Sequence, residues 1–282
     1  MLNKTTVLFL GAGSMAEAMI SGIIQTNELP KQNIMVSNRS NQDRLNELEM
    51  RYGITSLSSK EIDYSKVDVV VLAMKPKDIA TVVQSIKDKL ASHTLVLSVL
   101  AGVKTSFFEE HLQSGQPVIR VMPNTSSMLQ ESATAISAGE NATAQHTSIA
   151  RALLSAIGEV YEIQESKMDI FTGIAGSGPA YFYYLMEHIE KTGKEAGLEA
   201  DLAREIGAQT ILGAAKMILE REETPTQLRK NVTSPNGTTA AGLDALKQHG
   251  GGEAIAQAVK GATERSKELS QELEEKAVAI AR

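Results

Sequence analysis

The 282-residue sequence contains no cysteine and no tryptophan, only five histidines, and a formal net charge of −6. Without thiols there is no disulfide framework, no Cys-ligated zinc, no iron–sulfur cluster and no thiol nucleophile. Without a basic excess there is no electrostatic drive to displace counterions from nucleic acid. No apolar run approaches the roughly 18 residues of a membrane span. The opening MLNKTTVLFLGAG passes from an apolar stretch straight into glycines and has no small-residue cleavage site, which argues against a signal peptide. The histidines at 93, 111, 146, 188 and 249 are scattered, with no acid or nucleophile motif beside them. HExxH, P-loop and GxSxG patterns are also missing, so neither a metal site nor a hydrolytic nucleophile is expected. The expectation is a soluble cytoplasmic protein, long enough to bury a core without staples, with no nucleic-acid or membrane partner.

What is present divides the chain. Up to about residue 163, apolar β-branched runs alternate with helical patterns. The runs are Thr6 to Leu10, Ile34 to Ser37, Val67 to Ala73, Thr94 to Val99, Val118 to Met122, Ala133 to Ser137 and Glu159 to Ile163. Unbroken apolar character such as VDVVVLA suits strands buried on both faces of a parallel sheet. Strand–helix alternation implies right-handed βαβ units, hence a doubly wound α/β domain over 1–163. From 164 to 282 only helical periodicity remains, interrupted at Gly-Ser-Gly-Pro, Gly197, Pro225, Ser-Pro-Asn-Gly and Gly-Gly-Gly. An all-helical second domain is expected there.

Directly after the first apolar run stands Gly11-Ala12-Gly13-Ser14-Met15-Ala16, a G-x-G-x-x-G/A pattern that opens a helix. The first glycine would make the tight turn and the second would admit a pyrophosphate close to the backbone. Ala16 would keep the helix against the sheet. Free N–H groups at the helix start would meet the phosphates. An NAD site ordinarily has Asp or Glu at the end of the second strand, bonding the ribose 2′-hydroxyl. Here Ser37, Asn38 and Arg39 occupy that end and no acid does, which favours NADP, with a 2′-phosphate on Arg39. NADPH is therefore the expected cofactor, with NADH still possible.

Two breaks in the helical half concentrate small and hydroxyl residues at helix starts: Gly173 to Tyr181, and Val232 to Thr239. The second offers hydroxyls and N–H groups suited to a small carboxylate. On residue grounds alone, capping and tight packing explain either loop equally well. Reduction of an already protonated C=N bond would need orientation, a donor near nitrogen and an anchor for the substrate anion, but no strong acid. A hydroxy-acid dehydrogenase of similar architecture would call for a Lys or His base in the helical half. Lys167, Lys191 and Lys194 lie there in no matching motif. A nucleotide-binding regulator without turnover is the remaining alternative.

The segments VLFLGAGSMAEAMI, VLAMKPKDI, SVLAGV, VIRVMPNTSSMLQESATAI, AGSGPAYFYYLME and NVTSPNGTTAAGLDAL together resemble the pyrroline-5-carboxylate reductases, over essentially the whole length. The resemblance implies a Rossmann-type NADP-binding domain, an all-helical dimerisation domain, and homodimers that often assemble into decamers. It also implies reduction of a small cyclic imino acid to L-proline, the last step of proline biosynthesis. By motif position, Gly11, Gly13, Ser14 and Met15 would hold the pyrophosphate, and Ser37, Asn38 and Arg39 the 2′-phosphate. Ala73, Lys75 and Pro76 would line the nicotinamide ribose, and Ala101, Gly102, Pro123 and Asn124 would border the nicotinamide. Ser234, Gly237, Thr238 and Thr239, together with Ser177, would bind substrate. Thr239, or a water it holds, would sit near the imine nitrogen, with Glu222 beside the ring as a second catalytic candidate. Two departures stand out. Asn236 replaces a family glycine, at a turn position whose left-handed backbone Asn tolerates. Ser59 precedes Lys60-Glu61 where the family often has Asn, so no adenine contact is carried over to it.

Overall fold

The structure, a computed structural model, describes residues 2–281. Eight strands form one sheet. They are β1 (Val7–Leu10), β2 (Ile34–Ser37), β3 (Thr55–Leu57), β4 (Val69–Leu72), β5 (Leu95–Ser98), β6 (Val118–Met122), β7 (Ser132–Ala138) and β8 (Gly158–Glu162). Their order is β3-β2-β1-β4-β5-β6-β7-β8. The first six are parallel. β7 runs antiparallel to β6, and β8 follows the direction of β7. The reversal has a simple cause. Only a short 3-10 turn, Thr125–Leu129, joins β6 to β7, whereas a parallel return needs a crossover of a dozen residues or so.

Period-two alternation sends each central strand into two cores. Val7 and Phe9 of β1, with Val69 and Val71 of β4, pack on one face. Leu8, Leu10, Val70 and Leu72 pack on the other. The first face is covered by α1 (Ser14–Thr26), α2 (Gln42–Tyr52) and α5 (Ala144–Leu154), through Met19, Ile20, Leu45, Leu48 and Leu153. The second is covered by α3 (Ile79–Ile86) and α4 (Thr105–His111), through Ile79, Val83 and Phe108. Helix ends follow from local chemistry. Asn41 caps α2 by accepting from the Arg44 N–H, and Gly53 ends that helix at φ 67°. A capping box of Thr143 and His146 starts α5.

Beyond β8, every element among the described residues is helical: α6 (Met168–Phe171), α7 (Gly178–Glu195), α8 (Ala200–Glu220), α9 (Pro225–Asn231), α10 (Thr238–Gln248) and α11 (Gly251–Ala281). Besides the reversed β7, three features differ from the sequence expectation. β3 is an additional strand. It is three residues long, polar and at the sheet edge, too short to carry a periodic signal. The stretch Thr172–Gly176 is not an open glycine loop but a π-helical turn that extends α6, with a single non-helical residue, Ser177, before α7. The third feature is how the chain groups into compact units. One unit runs to Gly176 and resumes at Gly261; the other is Ser177–Lys260. From Gly261 onward the last helix therefore belongs to the first unit, where Ser266 donates to Asp169 at 2.8 Å and Ser270 lies against Gly102.

Candidate active site

The glycine-rich loop sits at the topological switch of the sheet, where β1 has β2 on one side and β4 on the other. Open α/β sheets bind ligands at such points, outside the carboxyl ends of the strands. Gly11 has φ +115°, and a Cβ there would lie 2.4 Å from the Ala73 carbonyl oxygen. Its N–H donates to Ser37 O at 2.8 Å, while Ala73 N–H donates to Leu10 O at 2.9 Å. Three predicted segments, at Gly11, Ser37 and Ala73, thus meet within one hydrogen-bonded crossing. Gly13 is different. Its backbone is ordinary (φ −78°), and a Cβ there would meet no atom of the chain within 4 Å. Gly13 also precedes α1 without a side-chain cap, so the first N–H groups of the helix are offered outward beside open space. Ser14 and Met15 form the first turn of α1 beside this open space. Ser127 Oγ, in the 3-10 turn after β6, donates to Met15 Sδ at 3.6 Å.

A brace behind the loop was not visible in the sequence. Arg44, on α2, donates from Nε to the Ala12 carbonyl at 3.0 Å and from its terminal nitrogens to Glu17 and Glu47. Glu17 stands in the first turn of α1 and also accepts from Arg51 and Tyr52, both at 2.9 Å. Burial pushes the Glu17 carboxyl up, but the bonds from Arg44 and Tyr52 and the charges of Arg44 and Arg51 outweigh it and hold it below the usual carboxylate range. The acid in the first turn of α1 is therefore countered by Arg44 and Arg51.

At the end of β2, Ser37 is buried, Asn38 is half-buried and Arg39 projects into solvent. Arg39 Nη1 pairs with Asp78 Oδ1 at 3.3 Å. Lys75 is the exposed cap of the 3-10 turn Pro76–Asp78, and Pro76 is its first residue. Ala101 is exposed, while Gly102 (φ +79°) is buried, with Ser270 Cα 3.4 Å from where its Cβ would lie. Asn124 is buried and its side chain is already committed. Its amide donates to Ala175 O at 3.0 Å and its carbonyl accepts from Ser126 N–H at 3.0 Å. Pro123 and Asn124 therefore stand at the expected strand end, with the Asn124 carboxamide tying β6 to the π-turn.

In the helical unit, Ser234, Gly237, Thr238 and Thr239 come together in one turn. Gly237 N–H donates to Ser234 O at 3.0 Å across Pro235 and Asn236. Asn236 takes φ 59°, the left-handed conformation expected of the family glycine it replaces. Gly237 then precedes α10 with no side-chain cap, leaving the first N–H groups of the helix and the exposed Thr238 and Thr239 hydroxyls facing outward. Ser177 precedes α7, also without a capping bond. Glu222 is exposed in a bend just past the end of α8 at Glu220. No group of three or more His, Cys, Asp or Glu that could hold a metal ion occurs among the described residues.

Residues 165–269 match the family described as pyrroline-5-carboxylate reductase dimerisation. Residues 6–102 match the family described as NADP oxidoreductase, coenzyme F420-dependent. Pyrroline-5-carboxylate reductase 1 of Bacillus spizizenii is 60% identical over 278 residues, covering 99% of this chain and 94% of that protein. The structure of a pyrroline-5-carboxylate reductase from Coxiella burnetii superimposes with a TM-score of 0.86 at 33% identity, covering 95% and 99% of the two chains. That of the Plasmodium falciparum pyrroline carboxylate reductase with NADP bound gives 0.85 at 29% identity, covering 96% and 100%. A glycine-rich cradle at the sheet's switch point, a helical dimerisation segment and this likeness over nearly the full length place the chain in the pyrroline-5-carboxylate reductase family.

Proposed function

We propose that this chain reduces the cyclic imine 1-pyrroline-5-carboxylate to L-proline with NADPH, as the last step of proline biosynthesis, using residues 1–163 for the nucleotide and 164–282 for substrate and dimerisation. The observation that carries the reading is the uncapped start of α10. A turn held by Ser234 and Gly237 presents N–H groups and two threonine hydroxyls at a positive helix end, which is what a small carboxylate needs.

Bound NADPH supplies the hydride that adds to the imine carbon. The residues of the chain do the rest. Gly11, Gly13, Ser14 and Met15 seat the pyrophosphate, with Arg44 holding the loop in shape. Ser37, Asn38 and Arg39 take the 2′-phosphate, while Ala73, Lys75 and Pro76 flank the nicotinamide ribose. Ala101, Gly102 and Asn124 border the nicotinamide through backbone, since the Asn124 side chain is engaged elsewhere. Ser234, Gly237, Thr238 and Ser177 orient the substrate anion. Thr239, directly or through a water it holds, donates to the nitrogen as it becomes an amine, with Glu222 beside the ring. No protein nucleophile is required, in keeping with a chain that has no cysteine.

Homodimerisation is part of the reading. Phe182, Tyr183, Tyr184, Leu185 and Ile189 of α7, and Leu202, Ile206, Leu212 and Met217 of α8, are each at least 40% exposed in the single chain. Large apolar side chains exposed in this number on two helices mark a protein interface. A dimer, with a decamer as its further assembly, would cover it. A cytoplasmic location completes the reading; no helix among the described residues is long and apolar enough to cross a membrane.

The test is oxidation of NADPH and of NADH by the purified protein with pyrroline-5-carboxylate, beside a panel of other cyclic imines and 2-oxo acids. Turnover selective for the five-membered imino acid supports the reading. Cofactor binding without turnover on any imine overturns it.

A further inference from the structure

The end of β2 has no acid, yet the fold brings one to the same place. Asp78 lies 39 residues beyond Arg39 in sequence, at the turn between β4 and α3, and its Oδ1 accepts from Arg39 Nη1 at 3.3 Å. Asp78 ends the 3-10 turn Pro76–Asp78, which runs straight into α3, and its backbone is helical (φ −93°, ψ −1°). Its carboxylate makes no capping hydrogen bond and is paired with Arg39 instead. An acid thus stands beside the end of β2, held there by Arg39.

We propose that Asp78 is a cofactor-specificity residue, forming with Arg39 a selector that serves both nicotinamide cofactors. This rests on the assignment of Arg39 to the 2′-phosphate made above. With NADH, the Asp78 carboxylate accepts from the free ribose 2′-hydroxyl, the part played in NAD sites by an acid at the end of β2. With NADPH, a dianionic phosphate cannot share a position with a carboxylate, so Arg39 exchanges Asp78 for the phosphate. The charge-assisted pair formed with the phosphate replaces the one given up. Asp78 is therefore a standing cost to NADPH and a gain to NADH. The Arg39–Asp78 pair is largely exposed, its side chains being 80% and 32% accessible, so the exchange needs no repacking.

Calorimetric titration of the substrate-free protein with NADP and with NAD tests this without reference to turnover. Asn has nearly the same shape as Asp, and no capping bond is lost, so Asp78→Asn keeps the fold while removing the charge. In Asp78→Asn the Kd for NADP falls and that for NAD rises, changing their ratio about fivefold or more in favour of NADP. In Arg39→Ala the Kd for NADP rises and that for NAD does not. If Arg39→Ala weakens NADP binding but Asp78→Asn leaves the ratio unchanged, the selector is overturned and the phosphate assignment of Arg39 stands. If Asp78→Asn weakens both nucleotides equally, Asp78 merely supports the α3 start and the proposal fails. If Arg39→Ala leaves NADP binding untouched, the phosphate assignment itself falls and takes the selector with it.

Discussion

Arg44 and the carbonyl of Ala12 are joined by a 3.0 Å hydrogen bond that ties α2 to the loop between β1 and α1. The bond engages that carbonyl and fixes the loop to α2. On the proposed seating of the pyrophosphate in this loop, loss of Arg44 affects both cofactors. Arg44→Leu is expected to raise KM for NADPH and for NADH by the same factor, about tenfold, in line with the loss of a hydrogen bond to a charged group. KM for the imine stays unchanged. Arg44→Lys recovers part of the effect by still meeting Glu17. Steady-state kinetics with each cofactor decides; a change confined to Tm would reduce Arg44 to a structural brace.

The two glycines of the loop fail in different ways. Gly11→Ala meets both a left-handed φ of +115° and a carbonyl oxygen 2.4 Å from the new Cβ. It should cost about 3 kcal/mol or more of stability, seen in denaturant unfolding. Gly13→Ala meets nothing in the chain and keeps an ordinary φ of −78°. Its Tm should match the parent, while KM for cofactor rises roughly tenfold because the methyl occupies the approach to the phosphate. If Gly13→Ala unfolds the protein and spares binding, the cradle has been placed wrongly.

Thr239→Ala removes the hydroxyl assigned to the imine nitrogen. One lost donor that acts in the transition state lowers kcat by about tenfold or more. Thr239→Ser should restore most of the rate. An unchanged kcat/KM removes Thr239 from the mechanism.

His146 links stability to pH. Its Nδ1 accepts from the Thr143 N–H at 3.1 Å at the start of α5. A protonated ring cannot accept that bond, and its charge is unwelcome at a helix N-terminus. Burial lowers the pKa of His146 below the ordinary histidine value. With the folded pKa depressed, the unfolded chain takes up more protons. The capping contribution is therefore complete above about pH 6.5 and is lost as pH falls through the lowered folded value. His146→Gln keeps a capping side chain without the titration. The stability advantage of wild type over His146→Gln should shrink by up to about 1 kcal/mol between about pH 7.5 and about pH 5.5. Parallel denaturant curves at both pH values measure it; identical pH dependence in the two proteins refutes the link.

The apolar surface of α7 and α8 predicts its own cover. Tyr184→Glu with Ile206→Glu, at side chains 63% and 51% exposed, should shift the protein from dimer or larger to monomer in sedimentation without loss of helical circular dichroism. An unchanged mass places the interface elsewhere.

What could be read before folding follows from range. The central strands are legible because Val69 to Leu72 and Leu95 to Leu97 are buried on both sides and so are continuously apolar. The glycine loop is legible because its constraint, φ at Gly11, is local. The left-handed turn at Asn236 was foreseeable for the same reason, and it is present. β3 was not legible, since three half-polar residues at a sheet edge leave no pattern. The π-turn at Thr172–Gly176 reads as a glycine-rich break because glycines permit either outcome. Arg44 and Asp78 were invisible for a different reason. Each reaches its target across 30 or more positions, so that only the fold makes them neighbours.

The return of α11 to the first unit also orders events during synthesis. The stretch ending at Gly176 leaves the ribosome ahead of the whole intervening unit, and the turns of α11 that cover Gly102 come after both. Domains formed during translation ordinarily close from the N-terminus onward. Here the nucleotide-binding unit emerges with one flank bare, at the loop assigned to the nicotinamide, and is sealed only once the intervening unit has been made. A nascent chain therefore acquires the glycine-rich loop early and the cover over Gly102 last.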